Sequence, residues 1–278
     1  ISLHTGAYKQ LTDSNNIISN SSTIYVTGRG IATDSGSITN TGTIFSRDDC
    51  AIETQGGNDR LRNSGIITVQ DASAEAIDLG DGHDRFYNSG AITILDSGGH
   101  AIDLEGGNDI LQNTGTITVK EADSSGIAFC SGDDILENSG TIFIGETSCH
   151  GIIMGSGNDR IINTGTINID FVDYHGIKFP SDDNSNNSIT NSGTINIGYA
   201  CCHGFDFGSG ATGQTTIDNS GLINIGFAGK NGFRMTSGDD HIINSGTINI
   251  DHACSNGIAA TSGTFTLENS GTITIGQV

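Results

Sequence analysis

Short bursts of strict alternation mark this chain: Thr-Ile-Thr-Val begins at Thr116, Thr-Ile-Phe-Ile at Thr141, and Thr-Ile-Asn-Ile at Thr166, Thr194 and Thr247. A period of two sends successive side chains to opposite faces, so each burst predicts a strand with its aliphatic residues inward and Thr or Asn outward. The bursts follow Asn-Ser/Thr-Gly triplets, which begin at Asn40, Asn63, Asn88, Asn113, Asn138, Asn163, Asn191, Asn219, Asn244 and Asn269, with a degenerate Asn-Ser-Ser at Asn20. Most triplets are 25 residues apart and two intervals are 28. A small residue followed by Ile or Phe forms a second mark, which lies 13 residues after the Asn from Asn63 onward. It opens a second apolar pair, such as Ile77 and Leu79 or Phe205 and Phe207. A third inward position lies two residues before each Asn, from Leu61 to Leu267.

Three short strands in about 25 residues make one turn of a solenoid. The predicted fold is all-β: a right-handed, single-stranded parallel β-helix of about eleven coils, each strand hydrogen-bonded to its counterpart one coil away at ~4.8 Å. Residues 1–19 are expected to form an N-terminal cap or the start of the first coil, and residues 20–278 the repeat array. Both longer coils take their three extra residues in one interval, at Pro180 to Asn187 and at Gly208 to Gln214. About five inward apolar side chains per coil, at ~1.5–3 kcal/mol each when fully buried, oppose a backbone ordering cost of ~1–2 kcal/mol per residue. One coil alone is unstable, and stacking is what folds the array. The Asn column is expected to serve the turn, because Asn tolerates left-handed backbone and its amide can bond to the Asn above and below.

Composition agrees with a narrow core. There are 41 glycines, one proline and no tryptophan, and the hydrophobic content of 34% is thin for a layered domain. Eleven basic residues against 32 acidic ones give a formal charge of −21, a field that repels nucleic acid and anionic membranes. Nucleic acid is therefore excluded as a partner. No apolar run approaches the roughly 18 to 20 residues of a membrane-crossing helix, so the chain is not itself a spanning segment. Six irregularly spaced cysteines match no metal-finger pattern.

The units Gly-Gly-Asn-Asp-Arg-Leu-Arg-Asn-Ser-Gly from Gly56 and Gly-Asp-Asp-Ile-Leu-Glu-Asn-Ser-Gly-Thr-Ile from Gly132 resemble repeats of bacterial autotransporter passenger domains of the type V secretion pathway. The resemblance covers residues 20–278. It implies a passenger exported through a C-terminal outer-membrane β-barrel, extracellular or displayed on the cell surface, in a family where many members are adhesins, toxins or other virulence factors. On that resemblance the solenoid is expected to continue past Val278. The expected activity is adhesion to a host-cell surface protein or glycan, not catalysis.

Stacking places Asp59, Asp84, Asp109, Asp134 and Asp159 in one column, where carboxylates ~5 Å apart repel by about 1 kcal/mol even in water. The side chains are expected either to splay into solvent, to cap the turn through backbone N–H groups, or to hold calcium, as in the calcium-binding nonapeptide repeats that Gly-Gly-Asn-Asp is similar to. No cofactor is required; calcium is the one ion this column suggests. Glu53, Asp78 and Asp103 form an outward acidic trio of the kind that lines grooves in β-helix polysaccharide hydrolases and lyases, which is the alternative function. No coil carries an insertion long enough to wall a substrate groove, so a solvated acidic face is expected instead. A passive stalk for another domain is the third reading.

The residue before the second strand is His100, Ser125, His150, His175 and His203 in successive coils. His150, His175 and His203 are candidate transition-metal ligands, with a polar turn row as the plain alternative. Cys149 and Cys202 adjoin this column two coils apart, at ~10 Å, too far for a disulfide. Between the first and second strands the length is constant while the sequence varies, which frees those side chains for recognition. Phe171, Tyr174, Tyr199 and Phe227 concentrate there beside His175 and His203, and this edge is the candidate partner-binding surface.

Overall fold

The computed structural model describes residues 15–179, 184–208 and 212–278; residues 1–14 of the expected cap and parts of both three-residue expansions lie outside the described residues. The chain winds through three sheets of eleven, eleven and ten strands, and each strand pairs in parallel with its equivalents one coil before and after. The first sheet collects the strands that run into the Asn column, from Asn16–Asn20 to Phe265–Asn269. A second collects the Thr-Ile bursts, from Thr23–Val26 to Thr272–Gln277. The third holds the short strands of the second mark, from Ile31–Thr33 to Asn256–Ala259. They are called here the asparagine, isoleucine and short-strand sheets.

Register is set by the inward residues. Ile142, Ile167, Ile195, Ile223 and Ile248 stand directly one above another. A slip of one residue would turn every one of them to solvent, which is why the pairing is unambiguous. The core is a single file: each coil contributes one or two side chains per sheet, such as Ile142, Ile144, Ile152, Met154 and Ile161, all fully buried. In the longer coils the file widens to rings, with Phe179 stacked on Phe207 and Phe205 on Phe233 at 4.8 and 4.7 Å between centroids.

The triplet has a separate cause for each of two letters. Each Asn donates its Nδ2–H to the Oδ1 of the Asn one coil on, at 2.7–2.8 Å from Asn20 through Asn269. The same amide also reaches backbone carbonyls, as Asn138 does to Gly140 and Thr166. None of these asparagines adopts left-handed backbone, so the expected conformational reason is replaced by the amide ladder alone. The glycine is required by close approach. A Cβ on Gly140 would lie 2.1 Å from the carbonyl oxygen of Gly115.

One sequence expectation changes. From Thr116–Ala122 through Thr247–Ala253 the isoleucine-sheet strands are seven residues long instead of four, each ending on a further inward residue: Ala122, Thr147, Val172, Ala200, Ala228 and Ala253. The stretch read as free loop is therefore partly strand, and it fixes the outward residue just before each of these positions.

Candidate functional site

That outward position carries Glu121, Glu146, Phe171, Tyr199, Phe227 and His252 in register. The four rings stack face to face, at 4.9, 4.5 and 5.1 Å between centroids and within 8° of parallel. Stacking along the solenoid axis hides the ring faces against one another and turns their edges to solvent. The result is a rigid half-buried ridge spanning four coils. Tyr174 stands beside it, 52% exposed, with its ring edge-on to His150 at 5.8 Å. Of the six residues assigned to the partner edge, Phe171, Tyr199, Phe227 and Tyr174 thus present surface. His252, the fourth rung, was legible only by aligning the coil that follows.

His175 and His203 belong to a different structure on the short-strand sheet. His150, His175 and His203 stack at 5.1 Å, and each Nδ1 accepts the backbone N–H of the next coil's residue at that position: His175, His203 and Asn231. His100 does the same for Ser125. Burial pushes the imidazoles of His150, His175 and His203 down to about 4, 3 and 4, so they are neutral at pH 7 with the proton on Nε2. That arrangement leaves no imidazole lone pair for a metal. No group of three His, Cys, Asp or Glu side chains among the described residues is placed to hold one.

Beneath the histidines lies a charge cluster that was not singled out from sequence. The buried Asp206 carboxylate accepts hydrogen bonds from Arg234 at 2.6 and 2.7 Å and from Lys178 at 2.9 Å, with Nε2 of His175 at 3.0 Å. Burial alone would raise its pKa, but these partners outweigh burial and hold it below the usual carboxylate range. Lys178, Asp206 and Arg234 each stand two residues after the Gly of the second mark, so alignment of the coils contains the signal.

The acidic trio is on the same sheet. Glu53, Asp78 and Asp103 are in register, and Glu53 is paired with Arg29 at 2.6 Å. Asp103 is buried rather than solvated, and burial raises Asp78 to about 7. The adjoining depression, lined by Cys50, Glu53, Glu75 and Asp78 among others, holds about 50 Å³. A water occupies ~30 Å³ of liquid, so no sugar ring fits there.

Asp59, Asp84, Asp109, Asp134 and Asp159 do not splay outward. They are buried, and each Oδ1 accepts the backbone N–H of the residue one coil earlier: Gly36, Asp59, Asp84, Asp109 and Asp134. Asn187 takes the next place in the column with the same bond. In Asp84, Asp109 and Asp134 the remaining oxygen, Oδ2, is buried with no hydrogen-bond partner. Burial accordingly pushes Asp84 up to about 8 and Asp109 and Asp134 to about 7. A column of buried carboxyls already bonded to backbone N–H groups has little to offer calcium. We expect one melting temperature in EDTA and in added calcium; a fall in EDTA that calcium reverses would put the ion in the column.

Comparison with protein-family models, curated proteins and solved structures finds no match to this chain.

Proposed function

We propose that this chain is the recognition segment of a surface-displayed passenger of the autotransporter type, an adhesin that contacts a host-cell protein or glycan and carries out no catalysis. The observation that carries the reading is the ridge of Phe171, Tyr199, Phe227 and His252 with exposed Tyr174 beside it. Aromatic edges held rigid by stacking lose little side-chain entropy on contact, which is what makes tyrosine and its relatives effective anchors. Supporting it, the depression beside Glu53 and Asp78 is small, about 50 Å³.

The test follows from the chain's own coils. Glu146 occupies the ridge register one coil before Phe171, so Glu is accommodated there. A Phe171→Gln, Tyr174→Ala, Tyr199→Gln variant, which adds no carboxylate in register with Glu121 and Glu146, is expected to keep the parent's cooperative fold and to lose at least about tenfold in binding to cultured cells or a glycan array. A comparison variant alters Thr141, Asn168 and Asn196 to Ala on the outward face of the isoleucine sheet. Loss of binding only in that comparison protein would show the ridge to be the wrong face.

A further inference from the structure

A second surface of different chemistry lies on the asparagine sheet, several coils before the ridge. Arg60 and Arg85 are direct partners in adjacent strands, and Arg62 is the partner of Tyr87. The guanidinium carbons of Arg60 and Arg62 both sit 5.2 Å from the Tyr87 ring centre, so the tyrosine holds the two side chains in place. All three arginines are exposed, and no ion pair with a carboxylate engages any of them among the described residues. Like charges facing each other across neighbouring strands are destabilising. In a chain of net charge −21 with 11 basic residues, such an unneutralised trio stands out against composition.

The neighbouring side chains are also arranged as donors. A ladder runs through Asn58, His83 and Asn108, in which the backbone N–H of each following coil is accepted by Asn58 Oδ1, His83 Nδ1 and Asn108 Oδ1. Each acceptor atom is used up, which leaves the Nδ2–H groups of the asparagines and the Nε2–H of His83 unspent. Arg60, Arg85 and these three residues line one depression of about 600 Å³. Asp59, which also lines this depression, and Asp84 are buried, and burial raises both carboxyls. Asp133 closes the far end of the depression as a charged acid, its carboxyl lowered by hydrogen bonds from Asn158. Beside Arg62 and Tyr87 a second depression of about 290 Å³ is lined by uncharged polar groups, including Ser64, Ser89, Gln112 and Thr114.

We propose that this surface binds an acidic polysaccharide, with a sulfate or carboxylate between Arg60, Arg85 and His83 and neutral hydroxyls in the depression beside Tyr87. Guanidinium groups match the planar edges of such oxyanions, and polar side chains match sugar hydroxyls. The overall negative charge does not prevent this, since at physiological salt fields fade over about 8 Å and the local trio dominates. The site is independent of the aromatic ridge and stands or falls without it.

The probes are sulfated dextran, unsulfated dextran and inorganic sulfate, titrated calorimetrically into the whole chain. Sulfated dextran is expected to bind, with an affinity that falls as NaCl is raised; unsulfated dextran is not. Arg60→Gln with Arg85→Gln is expected to weaken binding by about tenfold or more. Arg160→Gln, in the same outward column but away from the trio, should leave it unchanged. Asp133→Asn should strengthen it, and Asn158 keeps its acceptor in that variant. Unsulfated dextran binding equally well, or a double variant that binds like the parent while its melt is unaltered, would overturn the proposal. Inorganic sulfate binding as tightly as the polymer would overturn the polysaccharide as the source of the anion.

Discussion

Lowering the pH from 8 to about 6.5 is expected to raise the melting temperature of this protein. Burial places Asp84 at about 8 and Asp109 and Asp134 at about 7 in the folded chain, against ~3.9 when unfolded. A carboxyl raised on folding contributes stability that is complete below the unfolded value and is lost as pH climbs through the folded value. The loss amounts to at most about 1.4 kcal/mol per pH unit for each group, and the column together to a few kcal/mol. Below about 6.5 the histidines act the other way. His150, His175 and His203 are lowered to about 4, 3 and 4, so the unfolded chain takes up protons that the folded chain refuses. Their contribution is present above 6.5 and declines as pH falls toward 4, while Asp206 loses its own below the ordinary carboxylate value. Between about 6.5 and 4 the carboxyl gain and the histidine loss oppose each other, so the rise should flatten there.

The Asp109→Asn variant isolates the column. Asn keeps the Oδ1 acceptor for Asp84 N–H, and Asn187 already serves in that column. The variant should be more stable than the parent at pH 8 and show a shallower rise between pH 8 and 6.5. A parent melt that only falls on acidification over that interval would contradict the buried, proton-holding column.

This column also shows where sequence reading stops. The periodicity places Asp59 through Asp159 one above another, because stacking follows from spacing. The upward shift of Asp84, Asp109 and Asp134 does not follow from spacing: it depends on Oδ1 being drawn inward by the preceding coil's N–H, which leaves Oδ2 covered. Inward isoleucines such as Ile142 and Ile144 were legible for the opposite reason, since alternation alone fixes their side. Phe171, Tyr199 and Phe227 were legible as surface residues but not as a strand, because the inward Val172 and Ala200 that extend the strand are small and vary. The pairing of Lys178, Asp206 and Arg234 needed coil-to-coil alignment across insertions of three residues. The arginine trio was hidden by averaging, for a charge of −21 says nothing of where the few cations gather.

The sharpest expected contrast is between two adjacent residues, Asn168 and Ile169. Both lie in Thr166–Val172, and the pleat sends them to opposite faces. Asn168→Asp retains the oxygen that accepts the Asn196 amide at 2.7 Å and should alter stability by less than about 1 kcal/mol, as outward polar changes usually do. Ile169→Asp puts a carboxylate into the single-file core, between Ile144 and Ile197 in the coils on either side. No polar group in that file can pair with it, and an uncompensated buried charge costs several kcal/mol or more. The coils cannot move apart to admit water without breaking the Asn ladder at Asn163 and Asn191, since both are locked to neighbours on each side. Because each coil is stabilised only by its neighbours, the damage should spread along the stack as loss of several coils. Far-ultraviolet circular dichroism of the Asn168→Asp protein should match the parent with a cooperative melt. The Ile169→Asp protein should lose a large share of its strand signal and become sensitive to protease near that coil. Equal stability of the two variants would mean that the register of this strand, and with it the inward identity of the whole isoleucine column, is wrong.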